Sequence, residues 1–524
     1  MPTLQFKGKN IIWNHHMSIP FHTLDEVPKL DFQADKGEGN LIIEGDNLLA
    51  LKALLPQYAG KVKVVAVDPP YNTGVEGWIY NDRVNSPLIA DWLGKEVGKD
   101  DLTRHDKWLC MMVPRLKLLR ELLKDNGVIF VCIDDNEQCT LKIIMDEIFG
   151  EENFMGNLPR RTKSGGGSAA SDFAVEHDYI LAYAKHKEQL ENLFIPHDPD
   201  YAKRYAEEDE EGKYFWDTFE RSYTQTKPYK IKAPDGSLLT GKWFRAEERF
   251  LDELKKGEMR FVKKKDGGWS VQFKQRMGAG RKIRSLIENE FKSTYQELDD
   301  LGMINSFSHP KPTSLIKELV FAASNSDKET IVLDSFAGSG TTMHAVIDLN
   351  KEDDGNRKCI LVQMAEATES DPKKNICKDI TRERVKRAIE KYGYDSGFKY
   401  IKVGIPIDPE SMLSGNLPIF KQFAKYVYYL CTGGHLQDES QIDDKSFFVG
   451  TFKKEAIYLI YKQDYDTLTR LALNLTVAEQ IIKEQKGRKC IVYAPACFLE
   501  EDYLKEKNIE YVGIPYNLFR RNAS

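Results

Sequence analysis

Consecutive residues near the start of the chain combine a carboxylate, two prolines and an aromatic ring: Asp68, Pro69, Pro70 and Tyr71. The amino group of a nucleobase is a weak nucleophile, so an enzyme that methylates it must aim hydrogen-bond acceptors at its hydrogens. Asp68 offers a carboxylate, Pro69 offers a carbonyl, and the Tyr71 ring can stack on a flipped-out base. The motif therefore predicts a site that activates a base amino group. The plainer interpretation is that the prolines end a strand and Asp68 caps the next turn.

A glycine-containing turn far downstream predicts the binding site of a methyl donor. Gly338 and Gly340 follow a short apolar strand that ends at Asp334, and glycines let the backbone approach a ligand closely at the start of a helix. The third glycine of a dinucleotide-binding fingerprint is missing here, so the turn that begins at Phe336 suits S-adenosylmethionine better. Glu366 follows the next strand and is placed to bind ribose hydroxyls, unless it is an ordinary surface acid.

Both motifs need buried strands to position them. Val62 to Val67 is a nearly continuous β-branched run, typical of a strand that is buried on both faces of a parallel sheet. Trp108 to Lys124 has helical spacing, Gly127 to Ile133 reads as a buried strand, and residues 331–364 repeat the alternation. The pattern predicts a doubly wound α/β sheet delivered in two pieces, with both motifs at its carboxyl edge, where such sheets bind ligands.

The chain has 524 residues, which is too long for one compact core. Residues 1–185 and 301–400 carry the two pieces of the sheet. Residues 186–300 are polar, aromatic and charged, which indicates an inserted domain. Residues 401–524 alternate strand and helix patterns again and predict a small α/β domain without an identifiable site.

The predicted insert contains cationic residues interleaved with aromatic rings. The net charge of the whole chain, −6, argues mildly against nucleic-acid binding, but local charge matters more than the total. Such a cluster can follow a phosphate backbone, although a solvated lysine-rich face is an equally good interpretation. The candidate DNA-binding residues are Lys263, Lys264, Lys265, Lys274, Arg276, Arg281, Lys282 and Arg284.

Composition excludes several other classes of protein. No apolar run approaches the roughly 20 residues of a bilayer-spanning helix, and no secretory signal opens the chain, so we expect a cytoplasmic protein without membrane contact. The eight cysteines form neither a CxxC pair nor a metal-like cluster, so no metal site is predicted. The sequence shows no Walker-type phosphate loop and no helicase-like block.

The order and identity of these motifs resemble the amino-methylating DNA methyltransferases of the beta arrangement. More narrowly, the chain resembles the modification subunits of type III restriction systems. The resemblance covers roughly residues 35–190 and 300–400. It depends on the segments 68–74, 79–82, 127–137 and 176–185, on the glycine turn, and on the block His309, Pro310, Lys311 and Pro312 ahead of that turn.

The resemblance implies a Rossmann-like sheet that binds S-adenosylmethionine, with Asp68 and Tyr71 facing the target base. Lys311 and Pro312 would lie near the methionine end of the cofactor, and Asp46 near its adenine, although Asp46 also suits an ordinary helix N-cap. The remaining cofactor-binding residues would be Asp334, Phe336, Gly338, Gly340 and Glu366. The family also places target recognition in the insert and implies a homodimer.

We therefore expect site-specific methylation of adenine N6 in double-stranded DNA, by direct displacement and without a covalent enzyme intermediate. Cytosine-N4 methylation shares the fold and motif order, but Asp68 at the first motif position favours adenine. An alternative of another class is a DNA-recognition subunit that delivers a partner nuclease. Any restriction activity would need a separate helicase and nuclease subunit.

Overall fold

The computed structural model describes residues 2–74, 103–163, 173–191, 193–278, 280–288, 294–324, 327–366, 373–485 and 487–514. The chain forms two compact units, one of Met1–Leu193 with Arg284–Ser524 and one of Phe194–Ile283. The second unit lies inside the predicted insert of residues 186–300, whose exact limits remain a prediction. The resemblance segment 79–82 lies outside the described residues.

The strands of the described residues are numbered here in chain order. They are β1 (Phe21–Glu26), β2 (Leu41–Glu44), β3 (Val62–Val67), β4 (Leu123–Ile133), β5 (Phe154–Arg161), β6 (His177–Ala184), β7 (Glu207–Asp209), β8 (Gly212–Thr218), β9 (Lys230–Lys232), β10 (Leu238–Thr240), β11 (Met259–Lys263), β12 (Trp269–Arg276), β13 (Ile331–Asp334), β14 (Lys358–Gln363), β15 (Lys399–Ile407), β16 (Phe448–Phe452), β17 (Glu455–Leu459), β18 (Lys489–Ala494) and β19 (Ile509–Gly513).

The α-helices are numbered in the same way. They are α1 (Lys9–Ile12), α2 (His15–Ser18), α3 (Asn47–Tyr58), α4 (Arg104–Leu122), α5 (Gln138–Phe149), α6 (Pro199–Ala202), α7 (Glu247–Lys255), α8 (Thr294–Asp300), α9 (Thr313–Ser324), α10 (Thr341–Asp353), α11 (Glu383–Tyr392), α12 (Pro409–Leu413), α13 (Phe420–Thr432), α14 (Tyr465–Leu468), α15 (Leu475–Gln485) and α16 (Glu501–Glu506). A π-helical turn, Cys377–Arg382, leads directly into α11.

A nine-stranded sheet organises the larger unit, in the order β1-β15-β2-β14-β13-β3-β4-β6-β5. Its central strands from β15 to β4 are parallel, and antiparallel strands close both edges. Every residue of β3 is buried, as its β-branched composition predicts. The predicted doubly wound α/β sheet is confirmed, and two separate segments of the chain supply its strands.

The strand order brings the two motifs together. β3 and β13 are parallel neighbours, with Val65 of β3 paired to Leu333 of β13. Asp68 follows β3 directly and Asp334 ends β13. Because the carboxyl ends of parallel neighbours meet at one edge, the residues that follow these strands converge there.

Residues after β15 form a second, four-stranded sheet in the order β16-β17-β18-β19. Helix α13 connects this region to the main sheet through buried aromatic rings. The rings of Phe21 in β1 and Tyr426 in α13 lie 4.4 Å apart between centroids, and Val449 and Ile457 belong to the same buried core. The sheet therefore shares apolar packing with the main sheet, while the function of this segment remains open.

The smaller unit has a sheet of its own, in the order β11-β12-β8-β7, and a short β9-β10 hairpin. Its core is aromatic, with Phe219, Trp243, Phe250 and Phe273 buried together. Across the ranges that the structure describes, no helix combines the length and apolar content needed to cross a bilayer. Those ranges also contain no cluster of three or more His, Cys, Asp or Glu side chains suited to a metal ion.

Candidate active site

The loop after β3 is held by side chains from two neighbouring elements. The indole Nε1 of fully buried Trp108, in α4, donates to the Pro70 carbonyl at 2.7 Å. Asn72 has a left-handed backbone, with φ of 59°, and its buried amide donates to Glu137 Oε1 at 2.5 Å. These contacts hold the backbone on both sides of Tyr71.

The Asp68 carboxylate binds a lysine from the other piece of the sheet. Lys311 Nζ donates to Asp68 Oδ1 at 2.7 Å and Oδ2 at 2.8 Å, and to the Tyr71 hydroxyl at 2.8 Å. The same ammonium lies 4.9 Å from the centroid of the Tyr71 ring. Burial is the largest single influence and opposes the charge of Lys311, but Asp68, Cys132 and Asp178 act together against it, and the pKa of the lysine is raised. The predicted cofactor-side lysine therefore contacts the predicted base-side motif.

Tyr71 also belongs to a buried ion-pair network. Its hydroxyl lies 3.5 Å from Asp178 Oδ2. Arg160 holds that carboxylate with two bonds, from Nε to Oδ1 at 2.7 Å and from Nη2 to Oδ2. Arg160 in β5 and Asp178 in β6 are directly paired across the strands. Burial, together with the Asp68 carboxylate, raises the pKa of Tyr71 well above its usual value, so its hydroxyl stays protonated.

Asp334 shapes the glycine turn from within. Its Oδ1 accepts from the Phe336 amide at 2.9 Å, and its Oδ2 accepts from the Thr342 hydroxyl at 2.6 Å. Burial raises the pKa of Asp334 to about 7, against these stabilising hydrogen bonds. The carboxylate thus closes the turn by binding both of its ends.

Each glycine of the turn has a left-handed backbone and a close neighbour. Gly338 has φ of 50°, and a Cβ there would lie 2.9 Å from the Phe307 ring. Gly340 has φ of 81°, and its Cβ would lie 2.9 Å from the Thr381 carbonyl oxygen. Both positions therefore require glycine, for conformation and for space.

The predicted ribose-binding acid is connected to this turn. Gln363, at the end of β14, accepts from the Gly338 amide at 2.8 Å and donates to Glu366 Oε1 at 2.9 Å. Glu366 has φ of 56° and lies 3.7 Å from the Lys374 ammonium. The geometry places Glu366 beside the glycine turn, and its contact with a ribose remains a prediction.

One cavity joins the two motifs and contains about 560 Å³ of empty space, part of it open to solvent. Its walls include Asp68 and Lys311 together with Asp334, Phe336 and Gly338. The other predicted site residues are not among its lining residues: Asp46, Pro69, Pro70, Tyr71, Pro312, Gly340 and Glu366. Cys132 also lines the cavity, and burial raises its pKa to about 12, which keeps the thiol protonated and a poor nucleophile.

Asp46 is the N-cap of α3. Its Oδ1 accepts from the backbone amides of Leu48 at 2.8 Å and Leu49 at 3.3 Å. Its Oδ2 lies 3.5 Å from a guanidinium nitrogen of Arg115. Asp46 therefore caps the helix, which is one of the two roles that the sequence allows. Its contact with a cofactor adenine remains a prediction.

The predicted DNA-binding residues do not form one set. Arg276 pairs with Asp209 at 2.6 Å and with Glu258 at 2.6 Å, and Lys274 pairs with Asp209 at 2.7 Å. Lys263, Lys264 and Lys265 are instead exposed at the β11-β12 turn, as are Arg281 and Lys282 near the end of the unit. Arg284 belongs to the larger unit.

Sequence reasoning missed the groups that support the site. Arg384 is fully buried and donates to the hydroxyls of Ser339 at 2.7 Å, Thr341 at 2.6 Å and Thr313 at 3.0 Å. Glu297 in α8 accepts from the same guanidinium at 3.1 Å. Asp178 lies within a segment that carries the resemblance, 176–185, whereas nothing in the spacing of Arg160, Gln363 or Arg384 distinguishes them from surface residues.

Comparison with known proteins agrees with this geometry. A family model described as DNA methylase matches residues 62–405. The chain is 34% identical over 405 residues to the type III restriction-modification enzyme StyLTI Mod subunit of Salmonella typhimurium, covering 71% of this chain and 61% of that protein. It is 33% identical over 436 residues to the EcoP15I Mod subunit of Escherichia coli, covering 70% of this chain and 65% of that protein.

The chain therefore spans less than two thirds of the length of these curated relatives. Among solved structures, the cytosine-N4-specific PvuII DNA methyltransferase gives a TM-score of 0.34 at 12% identity, covering 68% of this chain and 93% of that one. That likeness is too low to bear on the chemistry.

Proposed function

This chain belongs to the DNA methylase family whose model matches residues 62–405, and we propose that it is a site-specific methyltransferase acting on adenine N6 in double-stranded DNA. S-adenosylmethionine is the proposed methyl donor. The observation that carries the proposal is the single cavity lined by Asp68, from the base-side motif, and by Phe336 and Gly338, from the glycine turn.

The residues of this cavity suit the proposed cofactor. Phe336 and Gly338 provide an aromatic surface and a close backbone approach at the proposed binding turn. Glu366 beside the turn would bind the ribose hydroxyls. When bound, the cofactor supplies an electrophilic methyl group.

The chain's own residues prepare the amino group. The Asp68 carboxylate and the Pro69 carbonyl accept hydrogen bonds from the NH2, which draws electron density onto its nitrogen and aligns its lone pair. The half-buried Tyr71 ring stacks on the flipped-out base. The N–C bond would form as the S–CH3 bond of the methyl donor breaks, and the Asp68 carboxylate, as an acceptor for the amino group, would receive the proton that the nitrogen then loses. No cysteine nucleophile is needed.

Support for adenine over cytosine comes from aspartate at the first motif position and from relatives named as type III Mod subunits. Nucleoside mass spectrometry of DNA incubated with the purified protein and S-adenosylmethionine tests this choice. We expect N6-methyladenine and no N4-methylcytosine. The opposite product would support the cytosine alternative, and no methylated base at all would overturn the proposed function.

The partners are also proposals. The relatives named as Mod subunits suggest that this chain acts with a separate restriction subunit, which would supply helicase and nuclease activity. A homodimer and a cytoplasmic location stay predictions from the sequence. Recognition by the insert is supported by its exposed lysines at the β11-β12 turn, Lys263, Lys264 and Lys265, which would contact phosphates.

A further inference from the structure

Lys311 directs its hydrogen bonds toward the base side of the cavity. Its ammonium has three N–H donors, and the structure gives it three acceptors: both oxygens of Asp68 and the hydroxyl of Tyr71. Its side chain is only 12% exposed. Although the segment around Lys311 is expected on the cofactor side, these hydrogen bonds are all with residues of the base-side motif.

The hydrogen bonds form a directed chain across the site. Lys311 donates to the Tyr71 hydroxyl, and that hydroxyl faces Asp178 at 3.5 Å as a donor. Arg160 neutralises Asp178 from the far side. Positive and negative groups therefore alternate along this hydrogen-bond network, and each carboxylate pairs with its own cation. Such a network is well ordered because each polar group has a partner in a poorly hydrated site.

This arrangement solves a positioning problem for the reaction. Asp68 rotates about two side-chain bonds, and its side chain is 31% exposed, so burial alone does not fix its acceptors. The two nearly equal bonds from Lys311 set the plane of the carboxylate. Each carboxylate oxygen still has a second lone pair for an amino hydrogen. The third bond of the same ammonium sets the position of the Tyr71 ring relative to that carboxylate.

We infer that Lys311 is a positioning residue of the base side: it holds the Asp68 carboxylate and the Tyr71 ring in the geometry that receives the target amino group. The inference rests on the proposed function. It also assigns to the second piece of the sheet a direct role in base capture, because Lys311 precedes α9 whereas Asp68 and Tyr71 follow β3.

The test compares K311M with K317M. Lys317 is a matched control because it lies on α9 and pairs with Asp348 at 2.8 Å and Glu352 at 2.7 Å, and it does not line the cavity. Two quantities are measured for each full-length variant: the single-turnover rate constant for methyl transfer with saturating cofactor and DNA, and the cofactor Kd by calorimetry without DNA.

We expect K311M to lower the rate constant by about 100-fold, the usual scale of an ångström-sized misplacement of reacting groups. Its cofactor Kd should change by less than about threefold, because the substitution leaves the ground-state contacts of the cofactor unchanged. K317M should match the wild type in both. A cofactor Kd raised about tenfold or more, with an unchanged rate constant at saturation, would overturn the inference and return Lys311 to the cofactor side.

A second readout does not depend on the cofactor. Once the target sequence is known, 2-aminopurine at the target position reports flipping through its fluorescence. We expect the increase caused by the wild type to be abolished in K311M and kept in K317M. Equal increases in all three proteins would overturn the inference.

K311R provides the decision if K311M does not fold. It keeps the positive charge but replaces the compact ammonium with a planar guanidinium group. We therefore expect a rate constant below that of the wild type and an unchanged cofactor Kd. A normal rate constant with a raised Kd would again overturn the inference. If the wild type transfers no methyl group to any DNA, the proposed function fails first, and the inference fails with it.

Discussion

The sheet edge of the larger unit and the basic cluster of the smaller unit differ in how well the sequence predicts which side chains act together. At the sheet edge, Asp68 and Gly338 are far apart in sequence, yet they line one cavity because β3 and β13 are neighbours. In the smaller unit, Lys265 and Lys274 are close in sequence, yet one is exposed and the other is held by Asp209. Topology thus predicts convergence well, whereas a run of like charges does not show which charges are available to a ligand.

The largest expected effect comes from removing the base-side acceptor. D68A should lower methyl transfer by about 1,000-fold or more, comparable with the loss of a key preorganised polar group in other active sites. Its affinity for DNA should stay within about threefold of the wild type, because phosphate contacts dominate that affinity. D395A, at an exposed aspartate that pairs with Lys36, is the control. Loss of DNA binding in D68A would contradict the assigned role.

The two regions also give opposite predictions for the pH dependence of stability. Burial raises the pKa of Asp334 to about 7, so the folded protein holds this proton more tightly than the unfolded chain. The stabilisation is complete below the ordinary aspartate pKa of about 4 and is lost as pH rises to about 7, by up to about 4 kcal/mol. Asp209 differs, because hydrogen bonds from Arg276 and Lys274 lower its pKa, so its stabilisation is lost as pH falls.

Urea unfolding midpoints from pH 3 to 8 measure this difference. D334N should abolish the Asp334 contribution and flatten the profile between about pH 4 and 7 relative to the wild type. D209N should instead remove stability above about pH 4 and converge with the wild type at lower pH. A D334N profile that runs parallel to the wild type would show that Asp334 is ionised normally in the folded protein.

A glycine comparison separates backbone conformation from close packing. Gly340 and Gly415 have similar left-handed φ angles, 81° and 86°, but only Gly340 faces a backbone oxygen, that of Thr381, within 4 Å. G415A should cost about 1–2 kcal/mol of stability from its conformation alone. G340A should cost about 1–3 kcal/mol more than G415A, because its Cβ would meet a backbone oxygen, and it should also weaken cofactor binding by about tenfold, since the turn must shift. Equal cofactor Kd values for G340A and G415A, measured by calorimetry, would show that close packing at Gly340 does not affect cofactor binding.

The smallest expected effect concerns the basic cluster. Changing Lys263, Lys264 and Lys265 together to glutamine should weaken DNA binding and reduce the slope of log Kd against log salt by up to about 2.7, or about 0.9 for each phosphate that is no longer neutralised. K274Q with R276Q should leave that slope within about 0.5 of the wild type, because these cations already pair with Asp209 and Glu258. A salt titration in which K274Q with R276Q lowers the slope and the triple lysine variant does not would contradict this difference between exposed and paired cations.

Much of the sheet and its edge could be predicted from the sequence. The strand predicted over Val62 to Val67 has the same limits in the structure, because β-branched residues and the prolines that follow leave few alternatives. The helix predicted to reach Lys124 ends at Leu122, and β4 begins at Leu123 rather than Gly127. Leu123 fits the helical spacing but pairs with Val62 of β3, and periodicity cannot detect that contact.

The rest of the site depends on partners that spacing does not show. Arg160 and Asp178 meet only because β5 and β6 pair in one particular register. The motif around Lys311 predicts a place near the cofactor, which stays a prediction, and spacing does not show that its ammonium binds Asp68. A long flexible side chain can point to either side of a cavity, and only the positions of its acceptors decide between them.

Long-read sequencing of genomic DNA from cells expressing the wild type or D68A tests the central claim most directly, because it identifies modified bases and their sequence context together. We predict methyladenine in one defined sequence with the wild type and none with D68A. The same modified sequence in both strains, or none in either, would contradict a methyltransferase that uses Asp68 at this sheet edge.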